Sequence, residues 1–523
     1  MVPCASSAVS AGRCGAAHPK PPQVTTRATR DGDATACSSS SAVPSPRPRR
    51  DYGALFRRAK QSGGNDKCPP LFLAPMEGLG DHRLRRALVL STGGFDEACR
   101  EFTRVPGTLS QGAKAEKLLR GIALNGYDAR ELMKLESNAG MGYHGTENDA
   151  GQRVEQKVRH AHQSLLAAQL MGSTSELLRQ CAFVLATEGG APRVDLNCGC
   201  PATVVTGKGA GSGLLRDPYL VEQCIAAVAT GVCGTGCSVS LKMRSGFDDR
   251  SLLRDNLLAA QAGGAQFITL HPRTRKEGYT GHAHWDDIAF AVDLLDIPVV
   301  GNGDVTSPAK ALRMLRETGC AGIMVGRGAV QDPLLFRRVK HAFDTDGDTL
   351  FLSREEEVRE IKAFLNAFAA EAFVDDTGHG RESSSSRGGG TTSTNGSSIS
   401  SSGSSRTTST NASPTTGSND GNTRGRKPKT NGELENYKLG KLKQICKYLF
   451  AGNPELREHV AEVLNASATR SAKDSEENDL STATELLERI NELVEKHWRA
   501  PEDVLVDAFS MRGGYENGMK AAR

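Results

Sequence analysis

An α/β barrel of the (β/α)8, or TIM, type followed by an all-helical domain is the architecture this sequence predicts, on three observations. Eight short apolar runs lie between residues 67 and 345, and several lack the polar alternation of a half-exposed strand. Amphipathic patterns such as 218–230, 252–262 and 308–318 separate them. Beyond residue 353 the strand signal stops and only helical periodicity remains. A doubly wound open sheet is the alternative, disfavoured because no GxGxxG follows the first strand.

The strands are expected at 71–75, 98–104, 165–170, 193–198, 239–244, 266–271, 297–301 and 321–325, mostly bounded by Gly or Pro. The stretch 110–162 is too long for one barrel connection and reads as a loop insertion or an added helix, with Gly, Asn and mixed charge at 136–154. The helical domain, 353–498, carries apolar residues at helical spacing over 354–373, 433–449, 454–464 and 483–497. A Ser, Thr, Gly and Asn block, 376–430, interrupts it as a low-complexity insertion.

With 523 residues there is room for two or three domains, but a hydrophobic fraction of 38% implies that disordered segments dilute an ordinary core. Residues 1–66 read as a disordered extension and 499–523 as a tail. Within 1–50 the only acids are Asp31 and Asp33 amid Ser, Ala, Arg and Pro. That suits a plastid or mitochondrial transit peptide, or equally a plain extension of a cytoplasmic protein. No apolar run is long enough to span a membrane. The 13 cysteines are odd in number and form no repeated zinc-spaced pairs, so reduced thiols and no metal are expected. A net charge of +4 does not by itself establish a polyanionic partner. A monomer is expected.

A TIM barrel carries its function at the C-terminal ends of its strands. The fourth run ends Val194-Asp195-Leu196-Asn197-Cys198-Gly199-Cys200-Pro201, which leaves a thiol at a strand-to-loop turn with Asp195 and Asn197 beside it. The first run ends Pro75-Met76-Glu77, where a soft thioether suits a flat ring. Gln169 ends the third, and its amide suits either a backbone group or the edge of a heterocycle. Lys242 alternates with apolar neighbours in the fifth, so it faces the barrel interior if they face outward. His271 ends the sixth. Gly301-Asn302-Gly303-Asp304 and Gly326-Arg327-Gly328 close the last two strands, where such barrels bind phosphate. A phosphate anchor facing Lys, Gln, His and Met is the arrangement FMN needs. In the helical domain, Lys438, Lys441, Lys443 and Lys447 recur along one expected helix, below Arg424, Arg426, Lys427 and Lys429. They form either a solvated face or a phosphate-contacting one.

Taken in order, APMEGLGD (74–81), EFTRV (101–105), VDLNCGCPATVV (194–205), GAGSGLL (209–215), LKMRSGFDD (241–249), HPRTRKEGY (271–279), GNGDV (301–305) and GRGA (326–329) resemble the tRNA-dihydrouridine synthase family. NCGCP and APMEG are most similar to the bacterial subclass C enzymes, which reduce U16 of tRNA. The similarity covers about 67–340 and resumes at about 433–465. Pro272 departs from the family's usual HGRTR but leaves His271 and Arg273 in place.

The resemblance implies that Pro75, Met76, Glu77, Gln169, Lys242, His271, Asn302, Gly303, Asp304, Gly326 and Arg327 hold FMN, that NADPH reduces it, and that Cys200 is the general acid. It also implies that Asn197, Tyr279 and Arg273 meet the uridine or its tRNA. Lys441 and Lys443 are the expected tRNA phosphate contacts of the helical domain, and Cys198 is the rival thiol. Two other functions remain in view: an FMN-dependent TIM-barrel oxidoreductase of a small molecule, which has no need of a basic helical domain, and a non-catalytic RNA-binding protein on the same fold, which has no need of Cys200 or Lys242.

Overall fold

The computed structural model describes residues 50–61, 68–109, 112–132, 134, 165–345, 352–373, 431–466 and 482–499, all within the compact unit Arg47–Arg523. The expectations for 1–49, 136–154, 376–430 and 500–523 lie outside these residues.

Strands β1 (Leu71–Leu73), β2 (Glu97–Cys99), β3 (Thr103–Arg104), β4 (Leu165–Met171), β5 (Arg193–Cys198), β6 (Ser238–Gly246), β7 (Phe267–Thr274), β8 (Val299–Asn302) and β9 (Gly322–Val325) form one sheet. All pairings are parallel, and β2 pairs with both β1 and β4, so eight strands close into a barrel, β1-β2-β4-β5-β6-β7-β8-β9. The ninth, β3, lies against the far end of β4. The expected second strand is thus two short pieces, separated by Arg100–Phe102.

Register decides which side chains share the interior. Asn197 pairs with Lys242 and Lys242 with Thr269, while Asp195 pairs with Ser240 and Ser240 with Phe267. The alternate residues Val194, Leu196, Cys198, Leu241, Met243, Ile268 and Leu270 belong to the large outer core against the helices. The parity expected at Lys242 therefore holds. The connecting helices start where local chemistry stops the strand. Asp217 and Ser307 cap Pro218–Val232 and Pro308–Thr318, each with Pro in the first turn.

The expectation that residues 1–66 contribute no ordered structure is corrected by a helix, Tyr52–Gln61. Tyr52 and Phe56 are buried against Phe72, Phe267, Val300 and Met324. Tyr52 also donates a hydrogen bond to Glu97, at the start of β2. The helix plugs the N-terminal mouth of the barrel. Beside it Arg193 is fully enclosed, pairing with Glu97, donating to Asp195 at 3.0 Å and to Ser240 at 2.5 Å. Sequence inspection passes over this segment because two aromatics one turn apart in a short basic stretch form a weak signal.

Helices Arg354–Phe373, Asn431–Gly452, Val460–Asn465 and Ala483–His497 form the second layer, continuous with the outer core. An enclosed ionic joint ties them to the barrel. Arg338 pairs with Asp332 at 2.9 Å and Glu357 at 2.6 Å, and the Trp498 indole donates to Glu357 at 3.0 Å. No helix among the described residues is long and apolar enough to cross a membrane.

Candidate active site

Asn197 organises the loop that presents Cys200. Its Oδ1 accepts from the backbone N–H of Gly199 and of Cys200, both at 2.9 Å. Its Nδ2 donates to Gln169 Oε1 at 2.9 Å, and Gln169 Nε2 donates to Asp195 Oδ2 at 2.7 Å. A chain of hydrogen bonds thus runs from the Arg193 network at the barrel floor to the thiol loop. The far side of the loop is fixed by Ser212, whose hydroxyl donates to Cys200 O at 2.8 Å. Gly211, at φ +59°, lets the chain pass there, since a Cβ would stand 3.0 Å from the Cys200 carbonyl. Asn197 and Gln169, expected to meet uridine and cofactor, here spend their amides on positioning.

Cys200 and Cys198 differ in environment. Cys198 is fully buried in the outer core, where burial pushes its thiol well above the usual range. Cys200 belongs to a small cluster with Met171, Val205 and Ala210 at the C-terminal mouth. Burial raises its pKa, and the nearby Glu77 carboxylate raises it further, against the opposing pull of Arg104 and Arg244. The group is held as a thiol, the state a proton donor needs. Glu77, expected at the cofactor, lies at the same mouth. It pairs with Arg104 at 2.7 Å and stands 3.9 Å from Cys200 Sγ.

On the adjoining strand β6 Lys242 is half-buried, and burial with the neighbouring Arg244 lowers its ammonium to about 8. Burial drives His271 well below the usual imidazole range, helped by Lys242, Arg244, Arg273 and Arg327. The site therefore holds a neutral imidazole amid converging cations. Asn302 Nδ2 donates to Met324 O at 2.9 Å. Gly303, at φ +124°, packs on His271, where an added Cβ would lie 3.1 Å from the ring.

Two residues expected at tRNA and cofactor pair with each other. Strand β7 runs on through Thr274, so Arg273 shares the interior parity of His271 and is 1% exposed. Its guanidinium donates to both oxygens of Asp304, at 3.0 and 2.8 Å, and to Gly281 O. Asp304 also accepts from the Ala283 N–H at 2.7 Å. Arg273 and Asp304 lock the turns around the site to each other.

Arg244 is the residue that patterning misses. It donates to Gly199 O at 3.0 Å, Thr274 O at 3.0 Å and Gly278 O at 2.8 Å, joining the thiol loop to the turn after β7. The available signal was parity, because Arg244 lies two residues beyond Lys242 and faces the same way. Above it the exposed ring of Tyr279 sits between the Arg244 and Arg327 guanidiniums, 5.2 and 4.5 Å from its centroid. On the last wall, a Cβ added to Gly326 would lie 3.7 Å from Met76 Sδ.

The donor set fits an anionic, ring-bearing cofactor such as FMN. Lys242, Arg244 and Arg327 converge on one mouth beside the Gly303 and Gly326 turns, and the interior Thr269 hydroxyl has no hydrogen-bond partner among the described residues. Among the described residues no His, Cys, Asp and Glu cluster could hold a metal.

The helical domain reaches this mouth through Asn431–Gly452. Gln444 donates to Gly78 O at 2.8 Å, and Lys441 pairs with Asp81 at 3.0 Å, both partners belonging to the loop after β1. Lys443 donates to the Ala466 carbonyl. Lys441 and Lys443, expected as tRNA phosphate contacts, are both engaged within the protein.

Comparison with known proteins agrees with this geometry. The tRNA-dihydrouridine(16) synthase of Cupriavidus necator is 38% identical over 275 residues, covering 52% of this chain and 74% of the relative. That of Ralstonia nicotianae is 36% identical over 271 residues, 52% and 72% respectively. A tRNA-dihydrouridine(16) synthase of Neisseria meningitidis is 32% identical over 298 residues, 57% of this chain and 78% of its own. The model of the family described as dihydrouridine synthase matches residues 146–374, from the approach to β4 through the first helix of the second layer. The chain belongs to the dihydrouridine synthase family.

Proposed function

We propose that this protein reduces the C5–C6 bond of a D-loop uridine of tRNA, at position 16, with FMN as cofactor, NADPH as reductant and Cys200 as proton donor. The observation that carries the reading is the Cys200 thiol, presented at the barrel mouth by Asn197 and kept protonated by burial. The three relatives above, all tRNA-dihydrouridine(16) synthases, support the choice of substrate and position.

A reduced FMN held at this mouth would supply the hydride that C6 of the uracil takes up. The protein's part is to place and complete that reaction. Arg327 and the Gly303 and Gly326 turns would hold the phosphate, with Lys242 and the neutral His271 at the ring. The target base must leave its stack to reach this mouth. Tyr279, exposed between two guanidiniums, offers it a face at the rim. Cys200 then gives its proton to C5. A thiol whose pKa lies above the ordinary value of about 8.5 stays loaded at neutral pH. The helical domain, seated on the loop after β1, is placed to orient the tRNA and so select the uridine.

Cys200→Ala is expected to keep the flavin spectrum and tRNA affinity while slowing uridine reduction about 100-fold or more, the scale of a positioned acid. Cys198→Ala is expected to cost about 1 kcal/mol of stability through core packing, with little effect on rate. If Cys198→Ala is inactive and Cys200→Ala active, the acid is misassigned.

A further inference from the structure

After each turnover Cys200 is left as a thiolate in a pocket to which water has little access, since the residue is only 7% exposed even without RNA at the mouth. Among the described residues one carboxylate stands beside it. Glu77 Oε2 lies 3.9 Å from Sγ, and Oε1 accepts from Arg104 Nη2 at 2.7 Å. Both side chains of that ion pair are about half exposed, at 50% and 52%. Glu77 therefore touches the thiol with one oxygen and faces solvent along the same carboxylate. Its position is fixed. Leu79 and Gly80 donate back to Met76 O, Gly78 N–H donates to Glu101 at 2.8 Å, and Gln444 holds Gly78 O. Arg104 in turn lies over the Phe102 ring. The charged groups around Cys200 come from three separate elements: Glu77 after β1, Arg104 on β3 and Arg244 on β6.

We propose that Glu77, steered by Arg104, is the positioning residue that reloads Cys200 with a proton from solvent; this rests on the function proposed above. In the reductive step the S–H bond breaks, C5–H forms, and the electron pair stays on sulfur. In the reloading step solvent protonates Glu77. Its O–H bond then breaks as S–H re-forms, which restores the carboxylate. No oxidant or reductant beyond those of the reaction is needed. A carboxylic acid is a stronger acid than a thiol, so proton transfer to the thiolate runs downhill. The re-formed carboxylate then disfavours a second ionisation of its neighbour.

Glu77→Gln in the full, FMN-loaded chain tests this, with Glu77→Asp as the conservative partner. One turnover starting from pre-reduced enzyme uses the proton already on Cys200, so its rate is expected to change less than about twofold. Continuous turnover is expected to fall about tenfold or more, less than the roughly hundredfold of a group acting directly on substrate, and to recover on adding formate. Glu77→Asp is expected to recover most of the rate without formate. The pH at which iodoacetamide alkylates Cys200 is expected to fall in Glu77→Gln, because the neighbouring negative charge is gone. Equal loss in single and continuous turnover, with an unmoved alkylation profile, would overturn the proposal and mark Glu77 as structural. Unchanged continuous turnover would overturn it too. A wild-type protein that forms no dihydrouridine in the same assay would sink the function itself, separately from Glu77.

Discussion

Lys242 sits inside the barrel, level with Asn197 and Thr269, and the protein gives it Arg244 as a charged neighbour. Its ammonium therefore releases its proton at about pH 8 in the free protein. An anionic or electron-rich ligand favours the charged form, so above pH 8 the complex holds more protons than the free protein. Raising the pH then disfavours binding. FMN affinity is expected to be level below about pH 7 and to fall by up to about tenfold per unit above pH 8. In Lys242→Met it should be weaker at neutral pH and lack that fall. Flavin fluorescence titration from pH 6 to 9.5 reads this, and a level wild-type profile would remove Lys242 from the ring site. Residue identity and parity made Lys242, His271 and Cys200 visible in the sequence. The partners were not visible. That Asn197 spends its amide on the thiol loop, Arg273 on Asp304 and Glu77 on Arg104 depends on distances between strands that no local pattern encodes.

Among the elements, the barrel strands and the helices 308–318, 354–373 and 483–497 were legible because apolar period and Pro, Ser, Thr or Gly punctuation agree there. The Tyr52–Gln61 plug was not, because its burial comes from the far-off Phe267 and Phe72. The helix Asn431–Gly452 was legible as a helix but not in its facing. Its lysines suggested a phosphate surface, whereas Lys441 reaches Asp81, the N-cap of His82–Ser91. Burial pushes Asp81 up, but Lys441 and Arg83 outweigh this and hold it below the usual aspartate range. A carboxylate with a depressed folded pKa stabilises above its unfolded pKa, and the gain is lost as pH falls through the folded value. Lys441→Met is thus expected to cost about 1.5–3 kcal/mol at pH 7, as for a hydrogen bond to a charged group, and progressively less as the pH falls below the ordinary aspartate value of about 3.9. Urea unfolding of the full chain across this pH range measures this. An unchanged stability, together with a tRNA salt slope reduced by about one unit, would return Lys441 to the RNA surface.

On the scale of the whole molecule, two layers meet at one place. The barrel brings the thiol loop, the cationic wall and the Gly turns to a single mouth, and the helical domain grips the loop after β1 at the rim of that mouth. The joint of Arg338, Asp332, Glu357 and Trp498 fixes the second layer from the other side. Phosphate contacts would set how tRNA lies across this surface without reading its bases. On the function proposed above, the uridine that enters would follow from the angle between the layers. The most direct test gives the purified full chain FMN, NADPH and an unmodified tRNA transcript, and maps dihydrouridine along the product. The account predicts dihydrouridine at position 16, dependent on both FMN and Cys200. Dihydrouridine at position 20 instead, or none from a protein that has taken up its flavin, would contradict it.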